Sequence, residues 1–500
     1  MSEPSPTGST TGRESAPLAG WAAAALVFGS SAAVLVVELV ALRLLAPYLG
    51  LTLETNTLVI GVALAAIALG SWLGGRSADV VLPRRTLAPL LAVSGAAVAV
   101  TPFAVRAAGS LGDGGLLLIA AGATIIVPGA LLSAVTPMVT KLVLTSLDET
   151  GSVVGRLSGI GTAGAIFGTV VTGFVLIATV PVTWIMVGLG VVLVVAAAAV
   201  EVGVRRRVPV VPAVVVLLAG VVGAVVPGGC DAETTYHCAD VSADPAREGG
   251  RLLVLDGLRH SYVDLDDPTH LEFRYTQGLA GVVAGSFDEG EPLAAYHLGA
   301  GGLTFPRYLA ATRPGTRSVV SEIDPGVVRV DTERLGVETG PDLEVRVEDG
   351  RRGITRVATG SRDLVVGDAF GGVSVPWHLT TTEAVGEVRR VLRPGGVYAA
   401  NLIDYEPLAF ARAELETLRG VFDHVALAAD PYTLSGRGGG NLLAIASDAP
   451  LDLPAIEAGF EGQDLAWDVV DGDALTEWIG DAQVLTDDDA PVDQLLTPYA

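Results

Sequence analysis

Tyr296-His-Leu-Gly-Ala-Gly-Gly-Leu-Thr-Phe-Pro-Arg-Tyr308, followed by Val319-Val-Ser-Glu-Ile-Asp324, decides the fold of this chain. An apolar strand runs into a glycine turn and a helix, and a second apolar strand then ends on two acids. A doubly wound sheet holds a nucleoside in this way. Its glycines let the backbone approach the ligand, and a carboxylate past the second strand takes ribose hydroxyls.

Working outward, apolar runs at 294–299, 318–323, 343–348, 363–368, 395–402, 422–428 and 440–446 alternate with helical patterns. That alternation predicts an α/β sheet with its ligand at the C-terminal strand ends. Acids close three successive strands. Glu322 ends the second, Asp349 in Val347-Glu-Asp-Gly-Arg351 ends the third, and Asp368 in Asp363-Leu-Val-Val-Gly-Asp-Ala-Phe370 ends the fourth. Singly, each reads as a cap or turn residue. In series they read as a ribose contact, an adenine contact and a group beside the reacting centre. Pro394-Gly-Gly396 makes the turn into the fifth strand. Gly299-Ala-Gly-Gly-Leu-Thr-Phe305 lacks the last glycine of GxGxxG, so a hydride-transfer fingerprint is not matched. Upstream, Arg251–Gly257 and His260–Asp264 read as a small β-hairpin region, and a helix starting at Glu272 ends near Gly285.

The chain has 500 residues, of which 50% are hydrophobic, with a mean hydropathy of +0.53. Its charge is divided unevenly. Residues 1–226 hold 11 Lys+Arg and 9 Asp+Glu; of the totals of 31 and 55, residues 227–500 keep 20 and 46, a net −26. So acidic a half argues against nucleic acid, whose phosphates need a basic surface. Lys141 is the only lysine, and an acidic, arginine-based domain fits a halophilic setting.

Seven apolar segments, at about 20–47, 55–75, 86–106, 115–145, 154–179, 182–202 and 208–227, each approach the ~20 residues that span a bilayer. The expected organisation is a disordered stretch at 1–18, a polytopic α-helical membrane domain at 19–227, a linker with a small β region at 228–292 and an α/β Rossmann-like domain at 293–500. No cleavable signal peptide is expected, because the first apolar run is long and lacks a basic region directly before it. With the N-terminus inside, the cytoplasmic side carries Arg13, Arg76, Arg84, Arg85, Lys141, Arg156 and Arg205 to Arg207, and the outside only Arg43 and Arg106. Seven spans then place the C-terminal domain outside a cell membrane. Cys230 and Cys238, the only cysteines, agree if they form a disulfide, which needs an oxidising compartment. Gly70-Ser-Trp-Leu-Gly74 and Gly164-Ala-Ile-Phe-Gly168 permit close helix packing. Glu38 sits within a span, facing another helix or a polar path. The acidic run Thr486-Asp-Asp-Asp-Ala-Pro491 reads as a solvated tail. Neither the two cysteines nor the six histidines have metal-site spacing.

Leu255-Asp-Gly257, Glu272-Phe-Arg-Tyr275, the glycine turn, Glu322-Ile-Asp-Pro325, Glu348-Asp-Gly-Arg351, Asp363–Phe370, Val375-Pro376 with Leu379-Thr-Thr381, and Arg393-Pro-Gly-Gly396 together resemble the spermidine synthases (polyamine aminopropyltransferases), in the form fused to a multi-spanning membrane region. The resemblance implies transfer of the aminopropyl group of decarboxylated S-adenosylmethionine, as cosubstrate, to an amine such as putrescine, with release of methylthioadenosine. It implies that Asp368 is the catalytic acid, with Tyr275 near it, and that Gly299, Gly301, Glu322, Asp349 and His260 bind the cosubstrate. No metal is implied, because the leaving sulfonium is already positive. The implied partners are a small amine and the membrane, with a homodimer as an open arrangement. The resemblance breaks at three positions. Ala300 stands where the family's turn has an aspartate, Gly371 where a second aspartate follows the catalytic one, and His260 where a glutamine is usual. The adenosyl half of the site is thus kept and the amine half altered. Two other classes fit the same residues: a methyltransferase on the same sheet, and a non-catalytic polyamine- or nucleoside-binding, transport-linked membrane protein.

Overall fold

The computed structural model describes residues 19–49, 53–110, 114–144, 146–204, 210–225, 230–299 and 301–497. The stretch 1–18, Arg205 to Arg207 and Ala300 lie outside them. The chain divides into two units, Met1–Leu45 with Thr57–Val226, and Ala46–Asn56 with Pro227–Ala500.

The first unit is helical. Six of its described helices are long and apolar enough to cross a membrane: Gly20–Tyr48, Thr55–Val80, Pro83–Gly109, Ile119–Val143, Thr150–Thr179 and Val182–Val202. The seventh apolar segment contains the helix Val210–Val225 of 16 residues. At 1.5 Å per residue that is about 24 Å, less than a hydrocarbon core of about 30 Å. The fourth span is interrupted by a single turn residue, Ala134, between helices Gly114–Ser133 and Val135–Val143.

Both small-residue motifs sit at helix crossings. A Cβ on Gly164 or Gly168 would collide with the backbone of Phe28 or Ala32, and one on Gly70 or Gly74 with the backbone of Ala130 or Ala134. Between apolar helices in lipid, such close backbone approach supplies the dispersion contact that a hydrophobic driving force does not.

The second unit contains two sheets. Strands β1 (Ala232–Glu233), β2 (Cys238–Ala243), β3 (Gly250–Leu255) and β4 (Leu258–Asp264) form an antiparallel sheet in sequence order. The larger sheet comprises β5 (Ala294–Leu298), β6 (Arg317–Glu322), β7 (Leu343–Val347), β8 (Arg362–Gly367), β9 (Leu392–Tyr405), β10 (His424–Ala429), β11 (Gly439–Ser447) and β12 (Asp468–Asp471). Its order is β12-β10-β11-β9-β8-β5-β6-β7. Pairs from β9 through β8, β5 and β6 to β7 are parallel, whereas β9–β11, β11–β10 and β10–β12 are antiparallel.

Strand β5 is buried from Ala295 to Leu298 and β8 through its centre, Leu364 to Val366, as strands covered on both faces must be. One face packs on helices Thr382–Val391 and Ala409–Arg419 through Val385, Val388, Phe410 and Leu415. The other packs on helices Arg274–Ser286, Thr304–Thr312 and Leu453–Gly462 through Leu279, Val283, Leu309 and Phe460.

Register places the site. Leu298 pairs with Ser321 on one side and Gly367 on the other, and Gly367 pairs with Ala400. The next residues, Gly299, Glu322, Asp368 and Asn401, therefore sit side by side at one end of the sheet. Asp349 follows two residues after Val347, the partner of Glu322.

Gly164→Ala is expected to lower the stability of the detergent-solubilised protein by about 1–3 kcal/mol, the usual cost of overpacking. Gly155→Ala, whose added Cβ meets nothing within 4 Å, should leave it unchanged. A thermal melt of both variants checks this; equal melting points would remove the crossing as a stability determinant.

Candidate active site

A cavity of about 720 Å³ opens at those strand ends. Its volume falls in the range of small-molecule sites and suffices for a nucleoside with a second small ligand. Asp368, Tyr275, Gly299, Gly301, Glu322, Asp349 and His260 all line it. The residues singled out in the sequence thus meet in one space.

The glycine turn works by close approach. Gly299 has φ +94°, and a Cβ there would strike the backbone carbonyl of Asp368. Its own N–H donates to the Ser321 carbonyl at 2.9 Å, and the Asp368 N–H donates to the Leu298 carbonyl at 2.9 Å. A side chain at 299 would separate the ends of β5 and β8. Gly301 follows with φ +50°, which a side chain tolerates poorly.

The two acids that end β6 have different surroundings. Glu322 lines the cavity, and its Oε1 accepts the Asp324 N–H at 2.8 Å. Asp324 is fully buried. It caps the helix Pro325–Arg334 by accepting the Gly326 N–H, and it also accepts from the Thr234 hydroxyl and the Tyr236 N–H. That pins Thr234–His237 against the end of β6. His237, which also lines the cavity, is held by Asp256 at 2.8 Å from its Nδ1. Its ring lies 6.1 Å from that of His260. Burial, and then the neighbouring His237, push His260 down to about 4, with Asp256 opposing. His260 is therefore a neutral hydrogen-bonding group near pH 7.

Asp349 caps the short helix Gly350–Ile354 through the Arg352 N–H at 2.9 Å, and its other oxygen meets His378 Nε2 at 2.9 Å. Burial acts to raise its pKa, but the bonds from Arg352 and His378 outweigh this and hold it below the ordinary value. It stays ionised as a fixed acceptor at the cavity wall.

Asp368 differs from both. Burial raises it from 3.8 to about 6, against the lowering effect of hydrogen bonds from Asn401 and Tyr275. Asn401 Nδ2 donates to Asp368 Oδ1 at 2.8 Å, and Asn441 Nδ2 donates to Asn401 Oδ1 at 2.9 Å. Burial and then the Asp368 charge push the Tyr275 hydroxyl well above its usual value, so it remains a donor. The carboxylate is thus half-buried at the cavity wall and oriented from two sides, and its pKa lies within reach of neutral pH. A group in that condition can take a proton from a bound ligand.

Sequence reasoning missed Asn401, Asn441, His237 and His378. Asn401 did leave a signal, as the one amide within the apolar run Val397-Tyr-Ala-Ala-Asn-Leu-Ile403. The run after Thr486 is more than a solvated tail. Asp487 forms a two-point ion pair with Arg351 at 2.6 Å and accepts the Thr381 hydroxyl at 2.7 Å. It thereby ties the C-terminal segment to the helix that Asp349 caps. Among the described residues there is no cluster of three or more metal-ligating side chains.

No family model matches the chain. Over 142 residues it is 30% identical to the polyamine aminopropyltransferase of Chromobacterium violaceum, which is 28% of this chain and 53% of that protein. It is also 30% identical over 142 residues to the polyamine aminopropyltransferase of Vibrio vulnificus, covering 28% of this chain and 47% of that one. The chain spans about half the length of the curated relatives it matches. The crystal structure of a probable spermidine synthase from Corynebacterium glutamicum matches at 30% identity with a TM-score of 0.48, over 51% of this chain and 95% of that chain. With relatives of one name in separate bacteria, the chain belongs to the spermidine synthase (polyamine aminopropyltransferase) family.

Proposed function

We propose that this chain is a membrane-anchored aminopropyltransferase that moves the aminopropyl group of decarboxylated S-adenosylmethionine to an amine and releases methylthioadenosine. The observation that carries the proposal is the half-buried Asp368 carboxylate at the cavity wall, raised to about 6 and held by Tyr275 and Asn401. The ionised Asp349 and the cavity-lining Glu322 provide acceptors for an adenine amino group and ribose hydroxyls on the neighbouring strand ends.

The chemistry follows from charge. An aliphatic amine reaches the site protonated and is not yet a nucleophile. Asp368 accepts one proton, which frees the nitrogen lone pair. That pair attacks the aminopropyl carbon attached to the sulfonium. The C–N bond forms as the C–S bond breaks, and its electrons pass to sulfur, giving a neutral thioether. Proton acceptance by a positioned carboxylate contributes roughly 10²–10⁴-fold. Tyr275 and Asn401 keep the carboxylate facing the amine.

In this reading the C-terminal domain faces the extracytoplasmic side of a cell membrane. Support comes from the Cys230–Cys238 disulfide, with Cα atoms 5.6 Å apart, since such bonds persist in oxidising compartments. The nine-to-two basic bias gives further support. Both require the apolar segment that contains Val210–Val225 to cross. Digestion of intact cells with trypsin should then remove the C-terminal domain, whereas cleavage only after lysis would place it inside.

Incubation with decarboxylated S-adenosylmethionine and a panel of amines should release methylthioadenosine; no release with any amine would overturn the proposal. Asp368→Asn should lower kcat by about 10²–10⁴-fold while methylthioadenosine still binds. Turnover equal to wild type would remove Asp368 as the base. For wild type, kcat should rise with pH through about 6, because the protonated carboxyl accepts nothing below that point. In Asn401→Ala the inflection should move upward, since the lost bond favoured the anion. An unmoved inflection would show that Asn401 does not tune Asp368.

A further inference from the structure

The segment 369–376 follows Asp368 directly and forms part of the cavity wall through Ala369, Phe370, Gly372, Val373 and Pro376. None of its residues is fully buried. The Gly371 N–H donates to the Ser374 carbonyl at 2.8 Å across a tight turn, in which Gly372 has φ +84°. With so little burial and two adjacent glycines, the segment is not held by its own packing. Its placement falls to the hydrogen bonds that leave it.

Among the described residues, one of these bonds reaches a distant part of the chain: the Ser374 hydroxyl donates to Asp493 Oδ1 at 2.9 Å. The same hydroxyl lies 3.3 Å from the Val375 carbonyl. It has one proton to give, and the carboxylate is the nearer and stronger acceptor. Asp493 can act as an anchor because its own neighbours are fixed. It sits on the short helix Val492–Leu495, whose Val492 is buried in the core that also holds Leu485 and Phe410. On one side of it, Asp487 pairs with Arg351, next to the lining residue Gly350. On the other, the Thr497 carbonyl accepts the N–H of Tyr405, a lining residue, and the Thr497 N–H donates to the buried Asp404. The C-terminal stretch 485–497 is thus tied to the helix after β7, the segment after β8 and the end of β9.

The tie at Ser374 bears on the reacting centre. Asp368 shares its backbone with 369–376, so a shift there moves the carboxylate relative to the amine and admits water. A misplacement of about 1 Å can cost up to about 10²-fold in rate. We infer that Asp493 is a positioning residue for aminopropyl transfer: it latches the segment 369–376 through the Ser374 hydroxyl and so holds Asp368 toward the amine. The inference rests on the aminopropyl-transfer reading above.

The test uses the full-length protein in detergent, with decarboxylated S-adenosylmethionine and the amine that wild type uses best. Ser374→Ala and Asp493→Ala should each lower kcat by about tenfold, the worth of one hydrogen bond to a charged group. The double variant should fall no further than the worse single one, because both changes remove the same bond. Asp493→Asn, whose amide oxygen still accepts the hydroxyl, should recover most of the loss. Methylthioadenosine should bind every variant as it binds wild type, since its nucleoside lies over β5 to β7. Losses that add in the double variant, or wild-type kcat in either single one, would overturn the latch and leave aminopropyl transfer standing. Lost methylthioadenosine binding in Asp493→Ala would also overturn it, because the residue would then hold the domain together rather than the segment. No release by wild type with any amine would remove both.

Discussion

A half-buried carboxylate held by two donors is the constraint around which the site is built. Asp368 stands where the parallel strands end, and an ionised acid there is expensive without partners. Tyr275 and Asn401 supply them, and Asn441 fixes Asn401 in turn. The balance leaves the group near the point where gaining and losing a proton cost about the same. Two full-strength ion-pair partners would have pinned it as a permanent anion.

The same strand ends show how backbone geometry supports that group. Gly299 lets β5 and β8 close on each other, because its missing side chain leaves room for the Asp368 carbonyl. Asp324 and Asp256 hold the segment Thr234–Cys238 at the rim, beside the disulfide. Asp487 fastens the C-terminal segment to Arg351, two residues beyond Asp349. Acids in this domain therefore divide into those that face the cavity and those that secure its walls.

That division sets the limit of what the sequence discloses. Strands β5, β6 and β8 were legible because parallel strands with buried centres read as apolar runs between turn signals, whereas the edge strand β7, Leu343-Glu-Val-Arg-Val347, read as an alternating one. Glu322, Asp349 and Asp368 were legible because each stands at or just past the end of such a strand. Asp324 sits two residues from Glu322 and looks the same in sequence, yet it is fully buried and caps a helix. Only three-dimensional register separates the two. Asn401 and Asn441 were not legible as a pair, since they lie 40 residues apart and meet only because β9 and β11 are neighbours. Strand order beyond β8, including the antiparallel addition of β10 to β12, leaves no periodic trace. In the helical unit, length and hydropathy identify spans, and the 16-residue helix Val210–Val225 falls where that criterion stops discriminating.

The central claim is that one cavity presents an adenosyl ligand to Asp368, with the nucleoside over β5 to β7. The most direct measurement is an experimental structure of the protein with methylthioadenosine bound. The account predicts ribose hydroxyls on Glu322, the adenine amino group at Asp349 and the thioether sulfur beside the Asp368 carboxylate. Methylthioadenosine bound with its sulfur turned away from Asp368, or bound outside this cavity, would contradict it.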